Sequence, residues 1–189
     1  LDPVGVKAAS YWPAPNLPGL TNNAAKTAVS ANPLQQITSK VDHNFSNNKR
    51  AFVRYGYLYN VAGSPNFYSN LADTGFGPMT VHAHNLAIGY TQTLGTATVL
   101  ALRLGVNRFN ALRPSNGLGF KLTTLGLPSS AEKYLEEGDV DEFPGIAAQG
   151  YSNLGNNNGP YYESHELDYI FSGTLLRVIG KHTLTIGGE

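Results

Sequence analysis

Residues Thr80–Leu112, TVHAHNLAIGYTQTLGTATVLALRLGVNRFNAL, decide the fold class. Leu86, Ile88 and Tyr90 alternate with Ala87, Gly89 and Thr91. Beyond a turn near Gly95, Leu100, Leu102, Leu104 and Val106 alternate with Ala101, Arg103, Gly105 and Asn107. A period of two is the strand signature, because successive side chains leave a pleated backbone on opposite sides. The two strands, expected over 80–93 and 98–111, far exceed the roughly five or six residues usual in soluble proteins. Strands of about ten residues, apolar on one side and small or polar on the other, are the unit of a transmembrane β-barrel.

The same alternation recurs on either side of this hairpin. Over 35–45, Ile37, Val41 and Phe45 oppose Thr38, Lys40, Asp42 and Asn44. Over 49–60, Ala51, Val53, Tyr55, Tyr57 and Tyr59 oppose Arg50, Phe52, Arg54 and Gly56. Over 164–178, Leu167, Tyr169, Phe171 and Leu175 oppose Glu166, Asp168, Ser172 and Thr174, and a last strand begins at 182–189. Ser46-Asn47-Asn48 is expected to form a tight turn using the positive φ that Asn tolerates. The chain is thus all-β, with six long meandering strands.

The connections alternate in length: short at 46–48, long at 61–79, short near 95, long at 113–163 and short at 179–181. In a meander, alternate connections fall at the same end, so every long loop shares one end. Outer-membrane barrels have this asymmetry, with short periplasmic turns and long extracellular loops. In that orientation Tyr55, Tyr57, Tyr59, Phe109, Tyr169 and Phe171 lie toward the outer half, and Phe45 and Tyr90 toward the periplasmic half. Apart from Phe109, they lie on the apolar face and supply the expected girdles. Lys40, Asp42, Arg54, Arg103 and Asp168 fall on the other face, toward a polar lumen. Arg177 breaks the pattern near a strand end, where it can snorkel.

Residues 1–34 read as a Pro- and Asn-rich loop segment. Pro13, Pro15, Pro18 and Pro33 oppose a central strand, and Asp2-Pro3 can start a short helix through Ala9. Trp12, beside Pro13, is expected to anchor a loop. A short helix near Ala131–Glu137 would interrupt the otherwise irregular 113–163 segment.

The 189 residues carry 13 basic and 13 acidic side chains, which gives no support to a nucleic-acid partner. Charged residues make up 14%, below the roughly 25% of soluble domains. With no cysteine, thiolate chemistry and disulfides are absent. No nucleophile triad, phosphate-binding glycine loop or glycosidase carboxylate pair is found, so no enzymatic activity and no cofactor are expected. His82 and His84 share one strand face at a chelating spacing, but without a third ligand they read as polar rim residues. The acidic run Glu136, Glu137, Asp139, Asp141 and Glu142 contains the weak metal candidates Asp139, Asp141 and Glu142, which could hold calcium. It lacks the EF-hand pattern and reads first as a solvated loop.

Four phrases carry a family resemblance: VDHNFSNNKRAFVRYGY (41–57), NLAIGYTQTLGTATVLALRLGVNRF (85–109), FPGI with GYSNLG (143–146 and 150–155), and FSGTLLRVIGKHTLTIGGE (171–189). They resemble the barrel of TonB-dependent outer-membrane receptors, in the branch with a carboxypeptidase-regulatory-like N-terminal domain. DPVG (2–5) and PAPNLPG (13–19) resemble a loop of that branch. The resemblance implies a parent barrel of about 22 strands, a plug domain and energy supplied by the TonB complex. The implied partners are outer-membrane lipid, the TonB complex and an unidentified small solute. The chain would then be a barrel fragment, an open curved antiparallel sheet with exposed edges, located in the bacterial outer membrane. Solute contacts are expected in the loops at 61–79 and 113–163. Two alternatives differ in class: a non-transporting adhesive or structural barrel, and a soluble β-rich carbohydrate-binding module.

Overall fold

A computed structural model describes residues 2–136, 141–155 and 161–189. In chain order the elements are helix α1 (Pro3–Ala9), strands β1 (Leu34–Ser46), β2 (Lys49–Ala62), β3 (Met79–Leu94) and β4 (Thr98–Arg113), a 3-10 turn (Leu122–Leu125), helix α2 (Ser129–Glu136), and strands β5 (Tyr162–Ile179) and β6 (His182–Gly188). The strands form one six-stranded antiparallel sheet in the order β1-β2-β3-β4-β5-β6. Every strand pairs with its sequence neighbour, the topology of a meander. Among the described residues no helix is long and apolar enough to cross a membrane.

The β1–β2 register shows how the sequence sorts the faces. Ile37 opposes Tyr57, Val41 opposes Val53 and His43 opposes Ala51, all on the apolar side. Thr38 opposes Gly56, Asp42 opposes Phe52 and Asn44 opposes Arg50 on the polar side. At the far edge Leu175 opposes Ile186 and Arg177 opposes Leu184. The expected positive φ at the first turn is not found: neither Asn47 nor Asn48 has one. The register instead shifts between Asn44 and Ser46. The extra residue takes up the twist mismatch that an ordinary turn would impose on the hairpin. The second hairpin does use a left-handed residue, Gly95, at φ 68°.

Two compact units make up the chain. One is the sheet: Leu34–Asn60, Val81–Ala111 and Ser164–Glu189. Large apolar side chains stay exposed along it, including Ile37, Val41, Leu104, Phe171 and Ile186. On the polar side Gly89 is buried, because the Phe52 ring occupies the space a Cβ would need.

The other unit gathers Leu1–Pro33, Val61–Thr80 and Leu112–Glu163. Sequence reading leaves most of these residues as irregular loop, but they share a hydrophobic core of Ala8, Ala72, Phe120, Leu125, Phe143 and Leu154, with Val4, Tyr11 and Trp12 packed against it. The α1 cap explains how such a short helix persists. Asp2 Oδ1 accepts from the Val4 and Gly5 N–H groups at 2.8 and 3.1 Å, and Pro3 occupies the first helical position. Tyr11 then sits edge-on to Phe120 and Phe143, with centroids at 5.8 and 4.9 Å.

The two units carry separate tests. Gly89→Ala forces a methyl into the Phe52 ring, and overpacking of this kind costs about 1–3 kcal/mol. Urea unfolding in lipid vesicles should show that loss, with partial recovery in the double variant Gly89→Ala/Phe52→Leu. Phe143 is 1% exposed, so Phe143→Ala should destabilise the loop unit by about 3–5 kcal/mol. Limited proteolysis should then cut within 112–163 while the strands stay protected.

Candidate functional site

The polar face of the sheet brings together residues from four strands. Lys40 and Arg54 are directly opposed, and like charges in that position repel. Each turns elsewhere. Lys40 Nζ donates to Asp42 Oδ1 at 2.7 Å and lies 5.1 Å from the Phe52 ring centroid. Arg54 Nη2 donates to Asn85 Oδ1 at 3.4 Å, and Asn85 Nδ2 donates in turn to Asn107 Oδ1. The result is a polar ladder running β2–β3–β4. Two shallow hollows flank it. One, of about 380 Å³, is bordered by Lys40, Arg50, Phe52 and Arg103; the other, of about 400 Å³, by Thr38, Arg54, Asn85, Asn107 and Phe109. Phe109 therefore lies on the polar face, as the strand phase requires. Arg50, Arg54 and Arg103 form no ion pair among the described residues, so β1–β4 give this face a cationic character. On β5 the same face carries Glu166 and Asp168.

The apolar face ends, toward the long loops, in a belt of tyrosine and histidine. Tyr55 Oη meets His84 Nδ1 at 2.8 Å and Tyr57 Oη meets His82 Nδ1 at 3.0 Å. The Tyr57–His84 and Tyr59–His82 rings pack at 4.9 Å. One ring nitrogen of each histidine is thus already engaged. Further along, His165 Nδ1 meets Asn110 Oδ1 at 2.9 Å. Arg108 shares this face and is exposed. Sequence reading passes over Arg108 and the Asn85–Asn107 pair. The alternation that marks β4 is read on Leu100 to Val106, and one further step of two puts Arg108 on the apolar side.

In the loop unit, the buried Asp73 carboxylate accepts from Tyr68 N–H (2.8 Å), Gly75 N–H (2.7 Å) and Asn116 Nδ2 (2.9 Å). Three donors satisfy a group that would otherwise be costly to bury. Trp12 acts as an anchor: its indole N–H donates to the Ser152 carbonyl at 2.6 Å, and its ring lies 5.0 Å from that of Tyr151. Arg113 lays its guanidinium over Phe76 at 3.8 Å. Of the weak metal candidates, Asp139 lies outside the described residues, as does Glu137. Asp141 is ion-paired with Lys121, and Glu142 has one buried carboxylate oxygen without a hydrogen-bond partner. Among the described residues no three metal-ligating side chains come together.

A family model described as outer membrane beta barrel domain matches residues 1–189. No curated protein and no solved structure matches the chain.

Glu132 ties α2 to the 3-10 turn. Its Oε1 accepts from the Thr123 N–H at 2.8 Å and from the Thr123 hydroxyl at 2.7 Å. The backbone bond first, then the hydroxyl, hold its carboxyl below the ordinary value of about 4.5, with Lys121 assisting. A depressed folded value means the contribution is fully present above about pH 4.5 and is lost as pH falls through the folded value. Acidification below that point should therefore increase protease cutting around 121–136, and Glu132→Gln should remove the pH dependence of that cutting.

Proposed function

Since the chain belongs to the outer membrane beta barrel domain family, and so lies in the bacterial outer membrane, we propose that it forms wall strands and loops of a TonB-dependent receptor that takes up a small solute by energy-coupled transport. In a barrel the apolar face of the sheet meets lipid and the polar face lines the lumen. The observation that carries the reading is the polar ladder Arg54–Asn85–Asn107 with its flanking hollows. A passage for a polar solute needs donors and acceptors along its wall, and this wall is cationic over β1–β4. The packed loop unit supports the same reading, because solute recognition calls for loops held in one arrangement. Energy from the TonB complex would enter through parts of the parent receptor, its plug domain in particular.

The adhesive alternative draws on a different observation. Leu20 and Val29 are 97% and 93% exposed on the loop unit, and such side chains suit contact with a surface. The soluble carbohydrate-binding alternative gives way to the family match.

The test uses the full-length protein that carries this chain, in its own cells. Deleting its gene and deleting TonB should abolish growth on the same limiting nutrient, screened over ferric chelates, cobalamin, oligosaccharides and peptides as sole sources. Accumulation of that nutrient should stop when the proton gradient is collapsed. Accumulation that survives loss of TonB would sink the transport reading, and loss of surface attachment in the gene deletion would then favour adhesion.

A further inference from the structure

The apolar face changes character over a single step. On β3 it runs Ile88, Leu86, then His84 and His82; on β4 it runs Leu104, Val106, then Arg108 and Asn110. The Asn85–Asn107 bond crosses between β3 and β4 on the opposite side of the sheet. The residues next to that pair, His84 and Arg108, therefore face lipid beside one another. Tyr57 and Tyr59 flank the histidines from β2. Thr98–Asn107 of β4 matches the roughly 9–11 tilted residues that cross the apolar band of an outer-membrane barrel. The Arg108 row stands immediately above that band, on the side of the long loops.

An arginine facing hydrocarbon is unfavourable, and one at the interface is tolerated when its charge is met. Among the described residues the Arg108 side chain has neither an ion pair nor a hydrogen bond. The histidines are held in a way that core packing does not require. When a tyrosine hydroxyl donates to Nδ1, the proton of a neutral imidazole sits on Nε2, where it becomes a donor at the membrane surface. A guanidinium and two such imidazoles make a cationic, donor-rich patch in need of an acceptor.

We propose that Arg108, His84 and His82 form a binding site for the phosphate of an outer-leaflet lipid headgroup. Arg108 supplies the fixed charge and a forked pair of N–H donors that fits phosphate. The imidazoles supply further donors, and the hydroxyls of Tyr55 and Tyr57 hold them in place. The site depends on barrel membership and on orientation, and not on which solute the protein carries.

Native mass spectrometry of the detergent-purified full-length protein tests this, with bis-phosphorylated lipid A and its dephosphorylated counterpart as probes. The unmodified protein should retain the phosphorylated lipid and release the other. Arg108→Gln should weaken retention about tenfold, as expected for loss of one charge-assisted bidentate contact, and His82→Phe/His84→Phe should weaken it less. Arg103→Gln, on the opposite face, should retain the lipid like the unmodified protein, which guards against a general charge effect. Heat-modifiable gel mobility confirms that each variant is folded. Equal retention of both lipids, or retention by Arg108→Gln equal to that of the unmodified protein, overturns the proposal. Complete displacement of the lipid by millimolar inorganic phosphate also overturns it, since free phosphate would then be the ligand.

Discussion

A chain that crosses hydrocarbon must pair every backbone N–H and C=O within protein, because lipid offers no partner. The sheet of this protein is organised by that constraint. Each strand pairs with its sequence neighbour, and hairpins as short as Asn47–Asn48 join the strands at one end. Long segments leave only from the other end. Once the backbone is committed to a ladder, side chains have just two directions available, and a two-residue period becomes a division between lipid and lumen. A one-residue slip would exchange the faces and bring Arg54 and Arg103 into hydrocarbon. The register is therefore as much a solvation requirement as a packing one.

On the lumen side the fixed register sets like charges against each other. Opposed Lys40 and Arg54 cannot both point at each other, so one folds back on Asp42 and the other reaches across to Asn85. Exposed ion pairs such as Lys40–Asp42 contribute little stability. What they do is leave Arg50, Arg54 and Arg103 without carboxylate partners along that face. The lipid side obeys the opposite logic. Charged and imidazole side chains there lie toward the strand ends, and Tyr55 and Tyr57 tie up one nitrogen on each of two histidines.

Much of the sheet is legible in the sequence, because the alternation of Leu100, Leu102, Leu104 and Val106 with small or polar residues has a single structural interpretation at that length. The backbone of the first turn is not. Asn-Asn suggests a left-handed hairpin turn, but a bulge before it does the same geometric task without positive φ. The loop unit is largely invisible to sequence reading. Its core joins Ala8, Ala72, Phe120 and Leu154 from separate segments, and no periodicity links residues so far apart. Trp12 is the exception, since a tryptophan beside Pro13 in a Pro- and Asn-rich segment is read as a loop anchor. Arg108 escapes notice for the converse reason: it sits in a strand whose pattern its leucines already explain.

The Trp12 anchor has a kinetic meaning. Its hydrogen bond to Ser152 closes a separation of 140 residues, whereas the tight turns β1–β2, β3–β4 and β5–β6 close over a handful. Contacts between distant residues carry the larger chain-closure entropy and form slowly. The hairpins can zip up from their turns, but Tyr11 and Trp12 complete their contacts only once Phe143, Tyr151 and Ser152 are in place. Until those contacts form, the apolar side chains of Val4, Tyr11 and Trp12 are exposed, and the loop unit is open to association with other chains.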